Sequence, residues 1–126
     1  MTARILVVDD EPDLEALILQ KFRRQLRDGT VRFLFARDGI DALAALKANG
    51  DIDLVVTDIN MPRMDGLTLL QEMKKDERFA QLPVILVTSM NRTEDQERGL
   101  ALGADAYLVK QRFDHQTLLE TIKQLL

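Results

Sequence analysis

The chain alternates short apolar runs with longer segments whose apolar residues recur three or four positions apart. The short runs, rich in β-branched residues, predict five strands, at 4–9, 31–36, 52–58, 84–87 and 106–109. The longer segments predict helices at about 12–29, 38–49, 66–76, 93–103 and 114–126. Strand and helix alternate five times. This order is typical of an α/β fold in which a doubly wound, five-stranded parallel sheet carries helices on both faces.

Three of these helices carry more detailed predictions. The first begins at Pro12, which suits a first helical turn, and runs without interruption to Gly29. The second follows a cap at Asp38, and its predicted buried face comprises Ile40, Leu43, Ala44 and Leu46. In the last helix the predicted buried face comprises Leu118, Leu119, Ile122, Leu125 and Leu126.

Composition narrows the class of protein. A chain of 126 residues that is 46% hydrophobic is a usual size for one domain, so residues 1–126 are expected to form a single unit. A net charge of −4 gives no basic excess of the kind that nucleic-acid binding requires, although Lys21, Arg23, Arg24 and Arg27 form a local basic run. Cysteine is absent, which excludes disulfides and thiolate metal sites. The first residues show no signal-peptide pattern and no apolar run could span a membrane, so a cytoplasmic location is expected.

Polar side chains follow four of the five predicted strands. Asp9 and Asp10 end the first strand, Asp58 the third, Thr88 the fourth and Lys110 the fifth. In open α/β sheets the ligand sites lie at this edge. Carboxylates a few ångströms apart repel by roughly 1–4 kcal/mol per pair, so neighbouring first and third strands would require a cation. Carboxylate oxygens without softer donors favour Mg²⁺. A single Asp after a strand is usually a turn former, but four such strand ends together favour a site.

Four segments, read together, resemble a known family. They are Leu6–Glu11 (LVVDDE), Asp58–Gly66 (DINMPRMDG), Pro83–Ser89 (PVILVTS) and Gly103–Lys110 (GADAYLVK). The chain resembles, over its whole length, the response-regulator receiver domain, the phosphorylated module of two-component signalling, and in particular the chemotaxis receivers. The resemblance implies a flavodoxin-like strand order of 2-1-3-4-5, which periodicity alone does not establish.

The resemblance also implies roles for the acidic residues. Asp58 resembles the phosphoacceptor, whose carboxylate attacks a phosphoryl group and forms an acyl phosphate. Asp10 and Asp58 would bind Mg²⁺ directly, Asp9 through water, and Asn60 through its backbone carbonyl. The cofactor implied is therefore Mg²⁺, which spreads the charge of the transferring group.

Three further residues match the family's phosphoryl-binding and switch positions. Lys110 resembles the lysine that pairs with the phosphoryl group, and Thr88 the hydroxyl residue that hydrogen-bonds to it. Tyr107 resembles the aromatic residue that moves inward when Thr88 turns towards the phosphate; otherwise it is an ordinary strand aromatic. One departure stands out: Gln111 follows Lys110 where the family usually has proline, often with a cis peptide. A cis bond before a non-proline residue costs about 2.5–4 kcal/mol, so a trans peptide and a different loop are expected here.

The expected function is that of a phosphorylation-dependent switch. A histidine kinase or histidine phosphotransfer protein would supply the phosphoryl group, and a downstream effector would bind the switched face. The chain would promote only its own phosphorylation and dephosphorylation, without turnover of outside substrates. Neither nucleic-acid nor membrane binding is expected of it, and a homodimer is one assembly that the family allows.

Three alternatives remain. A Mg²⁺-dependent phosphatase would show Asp-x-Asp-x-Thr after the first strand, and the chain does not. A nucleotide-binding domain would show a Gly-rich loop there, and none is present. The third is an interaction module that keeps the receiver fold but works without phosphate.

Overall fold

The structure is a computed structural model that describes residues 2–88, 93–109 and 115–126. Strands and helices follow one another as the sequence pattern predicts, except that two helices lie between the first two strands. The strands are β1 (Ala3–Val8), β2 (Val31–Ala36), β3 (Leu54–Asp58), β4 (Val84–Thr88) and β5 (Ala106–Val109). The helices are α1 (Pro12–Lys21), α2 (Arg23–Asp28), α3 (Gly39–Ala48), α4 (Gly66–Lys75), α5 (Thr93–Ala101) and α6 (His115–Leu125). No helix among the described residues combines the length and apolarity needed to cross a bilayer.

All five strands are parallel and lie in the order β2-β1-β3-β4-β5. The predicted fold class and strand order are therefore confirmed. Val8 pairs with Thr57 of β3, and Asp58 in turn pairs with Val87 of β4. Because the strands are parallel and in this register, their carboxyl ends meet at one edge of the sheet.

The sheet separates two apolar layers, since successive strand residues point to opposite faces. The α3/α4 layer covers one face and contains Leu6, Val8, Val55, Leu86, Leu46, Leu70 and Met73. The α1/α6 layer covers the other and contains Ile5, Val7, Val56, Ile85, Ile18, Phe22, Leu118 and Ile122. Both faces of the central strands are buried, as all-parallel sheets require.

The prediction of one helix from Pro12 to Gly29 is wrong, because the segment is broken at Phe22. The Phe22 backbone lies at φ −102°, ψ 20°, outside the helical region, and separates α1 from α2. Hydrogen bonds continue across the break, from Phe22 N to Ile18 O at 2.9 Å and from Leu26 N to Phe22 O at 2.9 Å. The Phe22 ring is buried and packs edge-on against Phe33 of β2, with centroids 5.3 Å apart. Tertiary packing of this ring accompanies a bend that helical periodicity does not reveal.

Two predicted buried faces also need correction. In α3, Leu46 is buried, but Ile40 and Ala44 are exposed, because the helix turns Gly39 and Ala42 inward instead. In α6, Leu118, Leu119 and Ile122 are buried as predicted. Leu126 lies beyond the end of that helix and is 56% exposed.

Candidate functional site

Four carboxylates gather at the carboxyl edge of β1 and β3. Asp9, Asp10, Glu11 and Asp58 each offer one oxygen, and these oxygens lie within 4.8 Å of one another. Asp9 and Asp58 are largely buried, whereas Asp10 and Glu11 are exposed. The structure therefore brings together the three acidic residues that the sequence predicts and adds Glu11.

Backbone N–H groups orient the two buried carboxylates. Glu11 N donates to Asp9 Oδ1 at 2.8 Å, and Ile59 N donates to Asp58 Oδ1 at 2.7 Å. The Asp9 backbone is itself fastened to β2 through a bond from Asp9 N to Ala36 O at 3.0 Å. These bonds hold the two carboxylates at the strand ends.

The cluster suits a small, hard cation. Mg²⁺ takes six oxygen ligands at about 2.0–2.1 Å, so opposite ligands lie about 4.2 Å apart. Oxygens within 4.8 Å of one another are compatible with that span, and water would complete the shell. A pocket of about 230 Å³ opens beside Asp9 and Asp10, between the ends of β1 and β2 and the start of α1. The pocket therefore gives solvent a route to the part of the cluster formed by Asp9, Asp10 and Glu11.

The remaining predicted residues lie at or near the same edge, or outside the described residues. Thr88 is fully buried at the end of β4, one position beyond the residue that pairs with Asp58. Asn60 is exposed in the loop after β3. Lys110 and the departure at Gln111 lie outside the described residues. Their predicted roles stay predictions.

Tyr107 lies on the same sheet face as Thr88. It pairs with Leu86, two residues before Thr88 on β4, and two residues is the period of one strand face. The Tyr107 ring is half-buried and packs against the α3/α4 layer. A rearrangement of either side chain would therefore change the packing of the α3/α4 layer.

The loop after Asp58 is tightly held at its far end by Gly66. A Cβ at this position would collide with the Asp58 carbonyl oxygen, so only glycine permits the approach. Gly66 N also donates to Ile59 O at 2.8 Å. Asp65 then caps α4, since its Oδ1 accepts from Thr68 N at 2.7 Å.

The middle of the same loop is anchored by Arg63, a residue that the sequence analysis did not single out. Arg63 Nε donates to Asp38 Oδ2 at 2.6 Å, and Nη2 donates to Asp41 Oδ1 at 3.0 Å. Burial raises the pKa of Asp38, but the Asp41 N–H and the Arg63 guanidinium outweigh it and leave that pKa lowered. The bond to Asp38 raises the pKa of Arg63.

Glu11 and Arg63 were missed for different reasons. Glu11 follows Asp9-Asp10 directly, so a run of three acidic residues was a signal that could have included it. Arg63 contacts a residue 25 positions away, and nothing in the local pattern indicates that pairing.

Comparison with known proteins places this geometry in a family. Residues 5–123 match the family model of the response regulator receiver domain. The chain is 33% identical over 123 residues to the chemotaxis protein CheY1 of Helicobacter pylori, covering 98% of this chain and 96% of that protein. It is 34% identical over 125 residues to the gliding motility regulatory protein of Myxococcus xanthus, but spans only 15% of that protein's length.

A solved structure agrees with the fold and contains a metal at its site. The receiver domain of the sensor histidine kinase PA1611 from Pseudomonas aeruginosa matches with a TM-score of 0.84 at 25% identity, covering 99% of this chain and 98% of that one. Its crystal structure has a magnesium ion coordinated in the active-site cleft. On the family match, the nearly full-length likeness to CheY1 and the shared fold, the chain belongs to the response regulator receiver domain family and is similar to the chemotaxis receivers.

Proposed function

We propose that this receiver domain, spanning residues 1–126, accepts a phosphoryl group on Asp58 and thereby switches a partner-binding face. The observation that carries the proposal is the position of Asp58, largely buried at a strand end among three other carboxylates. Receiver domains of this family are signalling modules in two-component systems rather than enzymes acting on outside substrates. The donor would be a phosphohistidine on a kinase or a histidine phosphotransfer protein.

In the proposed transfer the Asp58 carboxylate attacks phosphorus and displaces the histidine nitrogen. An oxygen–phosphorus bond forms, the nitrogen–phosphorus bond breaks, and the imidazole takes up a proton. The acidic residues Asp10 and Asp58, with Asp9 acting through water and Asn60 through its carbonyl, would hold Mg²⁺. Bound Mg²⁺ supplies charge neutralisation for the transferring group, which is most of what such a transfer requires.

The switch would run through the buried end of β4. Thr88 and Lys110 would bind the phosphoryl oxygens, and Tyr107 would follow the movement of Thr88. The shared sheet face of Thr88 and Tyr107 supports this pairing. Phosphoryl contacts need only bias two packings that differ by a few kcal/mol.

The downstream partner is proposed from the class of relatives. CheY1 is named as a chemotaxis protein, and the Myxococcus relative as a gliding motility regulator. We therefore infer a protein effector that responds to the phosphorylated face, directly or through another part of a longer regulator. Pairing of two copies of the chain would be one form of this output.

Intact-protein mass spectrometry tests the proposal. The protein is incubated with acetyl phosphate, with and without Mg²⁺, beside the variants Asp58→Asn and Asp28→Asn, the latter removing an exposed carboxylate remote from the cluster. We expect one Mg²⁺-dependent phosphoryl addition to the wild type and to Asp28→Asn, and none to Asp58→Asn. No addition to any folded form would favour the phosphate-independent module instead.

A further inference from the structure

We propose that Arg63 is a positioning residue, which fixes the loop 59–65 onto the start of α3 and so keeps the phosphoacceptor edge in one conformation. The inference rests on the proposed function, because it assigns a role in organising the site around Asp58. It concerns a side chain that lies outside the acidic cluster itself.

The two oxygens of the buried Asp38 carboxylate accept hydrogen bonds from two different segments. Asp38 Oδ1 accepts from Asp41 N at 2.9 Å and so caps α3, while Asp38 Oδ2 accepts from Arg63 Nε at 2.6 Å. The Asp38 side chain is only 4% exposed, whereas that of Arg63 is 54% exposed. A bond between a charged group and a largely buried partner is worth more than an exposed pair, since the buried partner cannot regain water when the bond breaks.

The backbone makes a second attachment beside the first. Gly39 N donates to Met64 O at 3.0 Å, so two consecutive loop residues contact two consecutive residues at the start of α3. A Cβ at position 39 would lie 2.5 Å from Met64 Cγ, so glycine there lets the Met64 side chain pack against the helix start. The loop and the start of α3 therefore both contribute to the attachment, through Met64 and Gly39.

The backbone conformation of Arg63 would suit glycine better than arginine, which indicates that the arginine side chain has a role here. Its φ is +63°, and it is the one non-glycine residue with positive φ among residues 2–88, 93–109 and 115–126. Gly or Asn fits this region at lower cost, whereas other residues lose roughly 1–2 kcal/mol there. The bonds to Asp38 and Asp41 offset that cost.

The consequence for the site follows from the shortness of the loop. Ile59, at its start, donates to Asp58 Oδ1, and Gly66, just past its end, donates back to Ile59 O. Release of Arg63 would leave residues 60–64 attached to the body through Met64 and through the packing of Met61 against the α3/α4 layer. The Ile59 N–H, which donates to Asp58 Oδ1, and the Asn60 carbonyl, which is proposed to hold Mg²⁺, would then sample more positions.

The test compares Arg63→Gly and Arg63→Lys with the wild type. Glycine removes the ion pair but suits the positive φ, and lysine keeps the charge without the two-pronged donor. Arg78→Gly is the matched control, because Arg78 also makes two side-chain bonds to acidic groups, here both to Asp76, away from the loop. Three quantities are measured. They are hydrogen exchange of the Gly39 amide in the absence of a phosphoryl donor, Mg²⁺ affinity by calorimetry, and the rate of phosphorylation by acetyl phosphate.

We expect Arg63→Gly to speed exchange of the Gly39 amide about tenfold, which corresponds to about 1.4 kcal/mol, and to weaken Mg²⁺ binding severalfold. Arg63→Lys should fall between it and the wild type, and Arg78→Gly should change none of the three readouts. Unchanged exchange and Mg²⁺ affinity in Arg63→Gly would overturn the positioning role. If Arg63→Gly speeds exchange as expected but the wild type is never phosphorylated, the proposed function is overturned and the anchoring role stands.

Discussion

Removal of the Asp58 charge is expected to stabilise the metal-free protein, even though the change removes the proposed phosphoacceptor. The variant Asp58→Asn is the appropriate perturbation, because asparagine keeps an oxygen that can accept from Ile59 N. What it loses is repulsion from Asp9, Asp10 and Glu11, whose oxygens lie within 4.8 Å. The fold is otherwise expected to be unchanged.

The size of the effect follows from those distances. At 4.8 Å two like charges repel by about 0.9 kcal/mol in bulk water and about 3.5 kcal/mol at an effective dielectric of about 20. The repulsion between the two buried groups, Asp9 and Asp58, is nearer the second value. The repulsion of Asp58 by the exposed Asp10 and Glu11 is nearer the first value for each. In its proposed role beside Asp58, the charge of Lys110 would offset about one buried pair. A net gain of about 2 kcal/mol remains, equivalent to a rise in Tm of about 7 °C for a chain of this size.

Thermal unfolding in EDTA and in Mg²⁺ measures this gain. Mg²⁺ at ten times its dissociation constant would stabilise the wild type by about 1.4 kcal/mol and the variant less, so the difference should shrink. The control is Glu77→Gln, which removes an exposed carboxylate beyond the end of α4, at the opposite edge of the sheet. An Asp58→Asn protein that unfolds at or below the wild-type Tm in EDTA, with the control unchanged, would refute the charge argument.

Three further substitutions test other parts of the structure. Gly66→Ala places a Cβ against the Asp58 carbonyl, so urea unfolding should show a loss of about 1–3 kcal/mol, and a neutral result would contradict the close approach. The pKa of Asp38 is lowered by folding, so its charge stabilises the folded state above the unfolded-state pKa of about 3.9. That stabilisation is lost as pH falls through the lower folded-state pKa. In urea unfolding, the difference in stability between wild type and Asp38→Asn should therefore be larger at pH 7 than at pH 3. Leu46→Ala should cost about 2–5 kcal/mol and Ile40→Ala less than about 1 kcal/mol, whereas equal losses would restore the predicted face of α3.

The strands and the acidic edge were predictable because their signals are local. A run of β-branched residues that ends in aspartate needs no knowledge of the rest of the chain to be read as a buried strand with a polar end. Parallel order then brings Asp9 and Asp58 to one edge. The register between Val8 and Thr57 shows how closely the two strand ends are aligned.

The features that escaped prediction depend on contacts between distant segments. Ile40 is more apolar than Gly39, so hydrophobicity alone predicts the wrong buried face for α3. In the structure Gly39 is buried and closely approached by the Met64 side chain, a contact that comes from a distant segment. The break at Phe22 likewise accompanies a ring that packs on another element. Arg63 combines both difficulties, because its backbone conformation and its partner are invisible in the residues beside it.

The two apolar layers divide the molecule into parts that can change independently. Side chains of the α1/α6 layer and of the α3/α4 layer are separated by the sheet backbone, so substitutions in one layer should add to those in the other. Thr88 and Tyr107 both face the α3/α4 layer. Helices α1 and α6 could therefore acquire new surfaces during evolution while the packing around Thr88 and Tyr107, the proposed switch, is kept. The sheet, a single layer of backbone, would thus allow the partner-binding surfaces to diversify without a change in the packing around Thr88 and Tyr107.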